Sequence, residues 1–172
     1  MHQIRLLTPA EADAARPELV DLLLDCVDGG ASVNFVQPMT REKSESWWTG
    51  ALASHARAER FILIAEENGR IDGSVQIVPA GQENQPHRAD IAKLLVHRRA
   101  RRKGLGATLM QAAETEAKRL NRTLLTLDTE ADSAGDRLYQ RLGWTLFGQV
   151  PGYAVTADGT HRQTCSFYYK ML

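Results

Sequence analysis

The spacing of apolar residues changes several times along the 172-residue chain, and each change marks an element. Residues 2–7 alternate weakly and predict a first strand. Thr8-Pro9-Ala10-Glu11 predicts a helix start, with Thr8 as cap, Pro9 at the first helical position and Glu11 closing a capping box. Pro17 is expected to interrupt or restart that helix. Leu19, Leu22, Leu23, Cys26 and Val27 then fall on one helical face, ended by Asp28-Gly29-Gly30. Residues 31–38 read as a loop. Thr40 predicts the cap of a second helix to about residue 56, carrying Trp47, Trp48, Ala51 and Leu52. Residues 61–65 are a continuous apolar run of strand length. Asn68-Gly69 is a two-residue hairpin signal, so residues 71–78 pair back antiparallel.

A polar loop at 79–87 leads to a strand beginning near Arg88, whose apolar run covers 91–96. A basic run follows at once: Arg98, Arg99, Arg101, Arg102 and Lys103. After Gly104-Leu105-Gly106 the period becomes helical, with Leu105, Leu109, Ala112, Ala113, Ala117 and Leu120 in one arc. Residues 123–128 read as a buried strand, so the strand-helix-strand connection predicts a parallel pair. Asp132 or Ser133 caps a further helix to about Leu142, ended by Gly143. Residues 144–150 predict a strand, 151–160 a loop with a turn at Asp158-Gly159, and 163–171 a last strand. The order β-α-α-β-β-β-α-β-α-β-β describes an α/β chain built on a mixed sheet. No repeat or linker divides it, and its length suits a single domain, 1–172.

Composition narrows the function classes. Lys+Arg and Asp+Glu are both 21, whereas a dedicated nucleic-acid binder carries a basic excess, so the basic run is local. No stretch approaches the roughly 18 apolar residues of a membrane-crossing helix. The first residues also lack a signal core, so a cytoplasmic protein is expected. Cys26 and Cys165 read as buried thiols, and no Cys/His spacing suggests a metal.

A strand, a basic glycine turn and a helix make a phosphate-binding layout. The first helical turn offers free N–H groups and the positive end of the helix dipole, and glycine lets an anion come close. The Walker A pattern is absent. A dinucleotide fingerprint needs a third glycine where this chain has Leu109, and the turn lies mid-chain rather than after the first strand. Arg101-Arg102-Lys103-Gly104-Leu105-Gly106-Ala107 instead resembles the Arg/Gln-x-x-Gly-x-Gly/Ala motif of the GCN5-related N-acetyltransferases (GNAT). Asp132-x-x-Gly135-x-x-x-Tyr139-x-x-x-Gly143-Trp144 is similar to that family's Asn-x-x-Ala-x-x-x-Tyr-x-x-x-Gly-Phe, with Asp132 and Gly135 departing from it. The resemblance covers nearly the whole chain. It implies a GNAT fold of about seven strands and four helices, splayed between the strands at 89–97 and 123–128. Arg88-Ala89-Asp90, residues 127–131 and residues 151–159 resemble the tabtoxin resistance protein subfamily, which implies a small amino-acid-like acceptor.

The resemblance further implies an acyl-CoA N-acyltransferase that moves an acetyl group from acetyl-CoA directly to a primary amine in a ternary complex. Acetyl-CoA would be held by Leu94, Leu95, Val96, Arg101, Arg102, Lys103, Gly104, Leu105, Gly106, Ala107, Thr108 and Asp132. The backbone at 94–96 is expected to bulge and hold the carbonyl oxygen. Asp132 can accept from the cofactor's amide arm but cannot donate as asparagine does. Arg98 and Arg99 are placed either on the cofactor's 3′-phosphate or in solvent. Asp128 and Asp90 share the roles of base and amine anchor, and Tyr139 protonates the departing thiolate. Asn34, Phe35, Trp48 and Glu130 are expected to line the acceptor pocket. The expected partner is a small amine, with neither nucleic acid nor membrane, and the last strand is a candidate homodimer contact. The alternatives are a silent CoA-binding regulatory module and a transferase acting on a protein or peptide.

Overall fold

The computed structural model describes residues 2–172. Its elements are β1 (Gln3–Leu6), a 3-10 turn (Pro9–Glu11), α1 (Ala12–Asp28), α2 (Arg41–Ala56), β2 (Phe61–Glu67), β3 (Arg70–Pro79), β4 (Arg88–Val96), a second 3-10 turn (Arg98–Ala100), α3 (Leu105–Arg119), β5 (Leu124–Glu130), α4 (Ala134–Arg141), β6 (Thr145–Val155) and β7 (Arg162–Met171). The seven strands form one mixed sheet in the order β1-β2-β3-β4-β5-β7-β6. Only β4 and β5 run parallel, as the connection through α3 requires.

Two apolar clusters cover the two sheet faces. Leu105, Leu109, Met110, Ala113 and Ala117 of α3 pack with Val75, Ile77, Ala89, Ile91, Leu125, Leu127 and Tyr139. On the other face, α1 and α2 bring Leu19, Leu22, Leu23, Val27, Trp48 and Leu52 against Ile62, Ile64 and Leu95. No helix among the described residues is long and apolar enough to cross a membrane.

Local signals hold where the side chains satisfy backbone groups. Glu11 accepts from the Thr8 backbone N–H at 3.0 Å and from its hydroxyl, and the box opens a 3-10 turn before α1. The Asn68-Gly69 turn has φ of 54° and 75°, the doubly left-handed geometry of a tight hairpin. Ser133, not Asp132, caps α4, accepting from the Asp136 N–H at 3.0 Å.

Three expectations are corrected. Pro17 does not interrupt α1, which runs through it. The lost hydrogen bond and ring clash cost about 3 kcal/mol. Just beyond Pro17, Leu19, Val20, Leu22, Leu23, Cys26 and Val27 are all 1% exposed or less, each contributing about 1.5–3 kcal/mol for the larger aliphatics. Residues 151–155 are strand, not loop. They extend β6, an edge strand, where proline forfeits no ladder bond, and the register shifts between Val150 and Ala154. Finally, β7 lies between β5 and β6, so it presents no open edge to a second copy.

The closest approach of a helix to the sheet is at Gly73. A Cβ there would lie 2.8 Å from Leu109 Cδ1 and 3.1 Å from the Leu95 carbonyl oxygen. We expect Gly73→Ala to destabilise the fold by about 1–3 kcal/mol through overpacking, seen as a lower urea midpoint at constant slope. An unchanged midpoint would mean that α3 rides farther from β3 than this.

Candidate active site

β4 and β5 pair at Arg88, Ala89 and Asp90 with Leu124, Leu125 and Thr126, and then part. Beyond that point β4 bonds only to β3, and β5 only to β7. The sheet therefore has a wedge-shaped opening between residues 91–96 and 127–130. Where it opens, β4 bulges. Ser74 pairs with Leu95 but Gln76 pairs with Ala92, so Val75 faces both Lys93 and Leu94, and Lys93 has φ 50°. Before the bulge, Ala89 and Ile91 point to the α3 face. After it, Leu95 points to the α1–α2 face. The extra residue thus turns both Ala92 and Lys93 to the α1–α2 side.

Asp90 and Asp128 come together on that side, in a cleft of about 570 Å³ with Arg88, Thr126, Phe147 and Phe167. The two carboxylates differ in surroundings. Asp90 is held by Arg88 Nη1 at 2.6 Å and by the Thr126 hydroxyl. Asp128 makes no ion pair among the described residues. Its carboxyl is pushed above the ordinary range by partial burial in the cleft, eased by Lys93 and reinforced by Asp90. Glu130 lies one alternation further along β5, opposite Cys165.

Tyr139 of α4 stands on the α3 face, 7% exposed, with ring centroids 6.1 Å from Trp144 and from Tyr168. Burial, then the charge of Asp128, raise its hydroxyl above the usual tyrosine value, so it stays protonated at neutral pH. Gly135 is explained by a neighbour: a Cβ there would lie 3.0 Å from Thr129 Oγ1 and 3.5 Å from the Tyr139 ring. Asp132 has φ 60° and is exposed. Its N–H donates to Asp136, whose other oxygen accepts from the Tyr168 hydroxyl at 2.6 Å.

The glycine turn has Arg102 and Gly104 both left-handed, at φ 61° and 82°. The first α3 hydrogen bond is Thr108 N–H to the Gly104 oxygen, which leaves the N–H groups of Leu105, Gly106 and Ala107 without helical partners. A Cβ on Gly104 would meet nothing within 4 Å, so the open side of this turn can admit a phosphate. The basic run is largely used inside the fold. Arg98 bonds to Asp25 and Arg99 to Asp72, so neither is simply in solvent. Arg101 Nε donates to the Val96 oxygen at 3.0 Å, turning inward. Lys103 Nζ reaches the Arg99 carbonyl, while Arg102 is exposed. His2, Glu67 and Asp72 place possible metal-ligand atoms within 4.8 Å of one another, but Asp72 is already bonded to His2 and Arg99.

A model of the acetyltransferase (GNAT) family matches residues 18–144. The chain belongs to the GNAT acetyltransferase family. It is 30% identical over 147 residues to an uncharacterized N-acetyltransferase from the hisH-hisA intergenic region of Azospirillum brasilense, covering 76% of this chain and 86% of the relative. Among solved structures it resembles yncA of Salmonella typhimurium, solved with its cofactor acetyl-CoA (TM-score 0.78, 20% identity, 100% of this chain and 94% of that one). It also resembles a ribosomal-protein-alanine N-acetyltransferase from Brucella melitensis (TM-score 0.78, 23% identity, 99% of each chain). Those two likenesses concern the GNAT fold.

On the side of the cleft facing α1 and α2, three of the residues expected to line an acceptor pocket, Trp48, Asn34 and Phe35, lie elsewhere. Trp48 does not line a pocket: it is fully buried in the α1–α2 core. Trp47 takes the outward position, edge-on to Phe35 at 5.7 Å. Adjacent helical residues diverge by about 100°, so only one of the two could face the site. Phe35, beside Trp47, lines a separate hollow rather than the cleft of Asp90 and Asp128. Asn34 lies in that hollow of about 320 Å³ with Lys43, Ala154 and Val155. Lys93 and Arg60 were not anticipated. Lys93 Nζ lies 5.5 Å from the Phe35 ring and 5.6 Å from Trp47. Its one sequence signal was a lone cation within an apolar strand. Burial, with Arg60 adding to it and Asp128 opposing, lowers the Lys93 amine to about 8.

The two tryptophans should separate cleanly on mutation. Trp48→Ala is expected to cost about 3–5 kcal/mol of stability. Trp47→Ala is expected to cost less than half of that and to weaken acceptor binding instead. Equal stability losses in thermal melts would reverse the assignment.

Proposed function

We propose that this GNAT chain transfers the acetyl group of acetyl-CoA to the primary amine of a small, amino-acid-like acceptor. The observation that carries this reading is the opening between β4 and β5. The glycine turn and Tyr139 lie toward its α3 face, and two carboxylates toward the other. The residues fit acetyl-CoA in two respects: three α3 N–H groups are free beside an open Gly104, and β4 parts from β5 along 91–96, leaving backbone unpaired on that side. Bound there, acetyl-CoA supplies the activated acetyl group. Val96, Leu95 and Leu94 offer the backbone that orients its carbonyl. The likeness of the cleft-lining Arg88-Ala89-Asp90 segment to the tabtoxin resistance protein subfamily supports a small acceptor.

We assign the two carboxylates different tasks. Asp90 is oriented by hydrogen bonds from Arg88 and Thr126 and serves as the amine anchor. Asp128 lacks such a partner, and its raised affinity for protons suits a base. An amine of ordinary pKa must lose a proton before it attacks, at about 1.36 kcal/mol per pH unit. Tyr139 remains protonated and can give its proton to the leaving thiolate.

Two variants should fail in opposite ways. Tyr139→Phe is expected to lower kcat about 10²-fold, within the usual range for a positioned acid, with acetyl-CoA affinity unchanged in calorimetry. Gly104→Val should weaken acetyl-CoA binding by tenfold or more, because it forces a branched residue to φ 82° and fills the open side of the turn. If Tyr139→Phe turned over normally, Tyr139 would not be the acid.

Asp128 also sets a pH test. The wild-type kcat/KM should rise with pH through a limb above the ordinary carboxylate range, because the base works only when deprotonated. Asp128→Asn should remove that limb and lower kcat about 10²–10⁴-fold. A persistent limb in the variant would assign the base elsewhere.

A further inference from the structure

Beside the acceptor cleft, positive charge stands on aromatic rings with no counter-charge. Lys93 Nζ is 5.5 Å from the Phe35 centroid and 5.6 Å from Trp47, and the Arg60 guanidinium is 5.9 Å from Trp47. Among the described residues neither cation makes an ion pair, whereas Arg5, Arg41, Arg88, Arg98, Arg99 and Arg119 each do. Asp128 acts on Lys93 only from beyond ion-pair distance.

The hydrogen-bonding balance is one-sided in the same place. Arg60 donates to Gln76 Oε1, but Arg60 Nε, Gln76 Nε2 and Ser74 Oγ are buried without a partner. Gln76 and Ser74 are both 0% exposed. They pair with Ala92 and Leu95, so they flank the bulge that presents Lys93. Arg60 Nε and Gln76 Nε2 can only donate, and the Ser74 hydroxyl can donate as well as accept. Buried donors and cations are costly unless an acceptor meets them. The carbonyl of Arg60 is itself fixed, 2.9 Å from the His55 ring, whose other nitrogen lies 2.7 Å from the Leu7 oxygen. Arg60 is therefore held in place by the fold rather than trailing into solvent.

We propose that this cluster receives a carboxylate of the acceptor, docked between Arg60 and Lys93, while the amine of the same molecule faces Asp128 and Asp90. The substrate class is then the amino acids and close analogues carrying both groups, one pole for each end of the site. The inference rests on the transferase reading above. Trp47 and Phe35 wall the anion end, and their ring faces already favour the two cations. Lys93, although lowered to about 8 by burial, is still mostly protonated at neutral pH and can meet an arriving anion as a cation.

The test uses L-amino acids, each as the free acid and as its α-carboxamide. Thiol release is followed with acetyl-CoA, and calorimetric binding is measured on the CoA-loaded protein. The expected result is acids preferred over amides by about 10–100-fold in kcat/KM, the size of a lost charge-assisted pair. Arg60→Gln and Lys93→Met should lower turnover of the acid to that of the amide, mainly through KM, without weakening acetyl-CoA binding. Lys93→Arg should keep the preference. Turnover of acids and amides alike would overturn the anion site and leave the transferase reading standing. Acid-selective binding without any thiol release would do the reverse. Neither binding preference nor turnover would remove both. If Lys93→Met and Lys93→Arg both stopped acid and amide turnover equally, Lys93 would be a proton acceptor and the clamp would be wrong.

Discussion

Everything in this fold follows from parting a parallel strand pair without leaving either strand unsupported. A buried backbone N–H or carbonyl with no partner costs about as much as a lost hydrogen bond. Two neighbouring strands can separate only if each keeps another neighbour. β3 holds β4 along its whole length, and β7 holds β5 to Glu130. The antiparallel strands on each side thus bear the opening, and the short parallel register at 88–90 with 124–126 closes its narrow end. Both sheet faces become accessible from one place. A donor held beside α3 and an acceptor lodged on the α1–α2 side can meet there.

The bulge at Lys93 is the second consequence of the same constraint. Along a regular strand, a residue that faces the α3 cluster at position 91 puts 93 and 95 there too. One inserted residue breaks that parity, so Leu95 fills the α1–α2 core while Lys93 turns to the rings of Phe35 and Trp47. The end of the strand is then pinned. Arg101 and Cys26 both contact the Val96 carbonyl. Arg98 and His97 turn to Asp25 of α1. Much of the basic run that looked like a phosphate or nucleic-acid surface is therefore an anchor for the strand that presents it.

What could be read from the sequence, and what could not, divides along range. The capping box at Thr8, the Asn68-Gly69 turn and the strand-turn-helix at Gly104 are local, set by residues within a few positions of each other. They appear in the structure where the spacing puts them. The orientation of Trp47 and Trp48 depends on how α2 rolls against α1, which no local pattern specifies. The bulge depends on a register between β3 and β4. Residues 151–155 look like a loop because of Pro151 and Gly152, yet an edge strand tolerates both. Lys93 was legible only as an oddity. A cation in an apolar strand is explained by the aromatic rings it meets from a loop and a helix far away in sequence.

The two carboxylates show how one side-chain type acquires two different surroundings from position alone. Asp90 sits at the last paired rung, where β5 is still close enough for Thr126 to bond it and Arg88 lies along its own strand. Asp128 lies just past the point of parting, where β4 is no longer near enough to supply a partner. The strand separation that admits the reactants thus also removes the group that would have neutralised Asp128. Burial in the cleft, reinforced by the second carboxylate, makes Asp128 hold its proton more tightly than an ordinary carboxyl. Lys93 opposes this shift without forming an ion pair with Asp128 among the described residues.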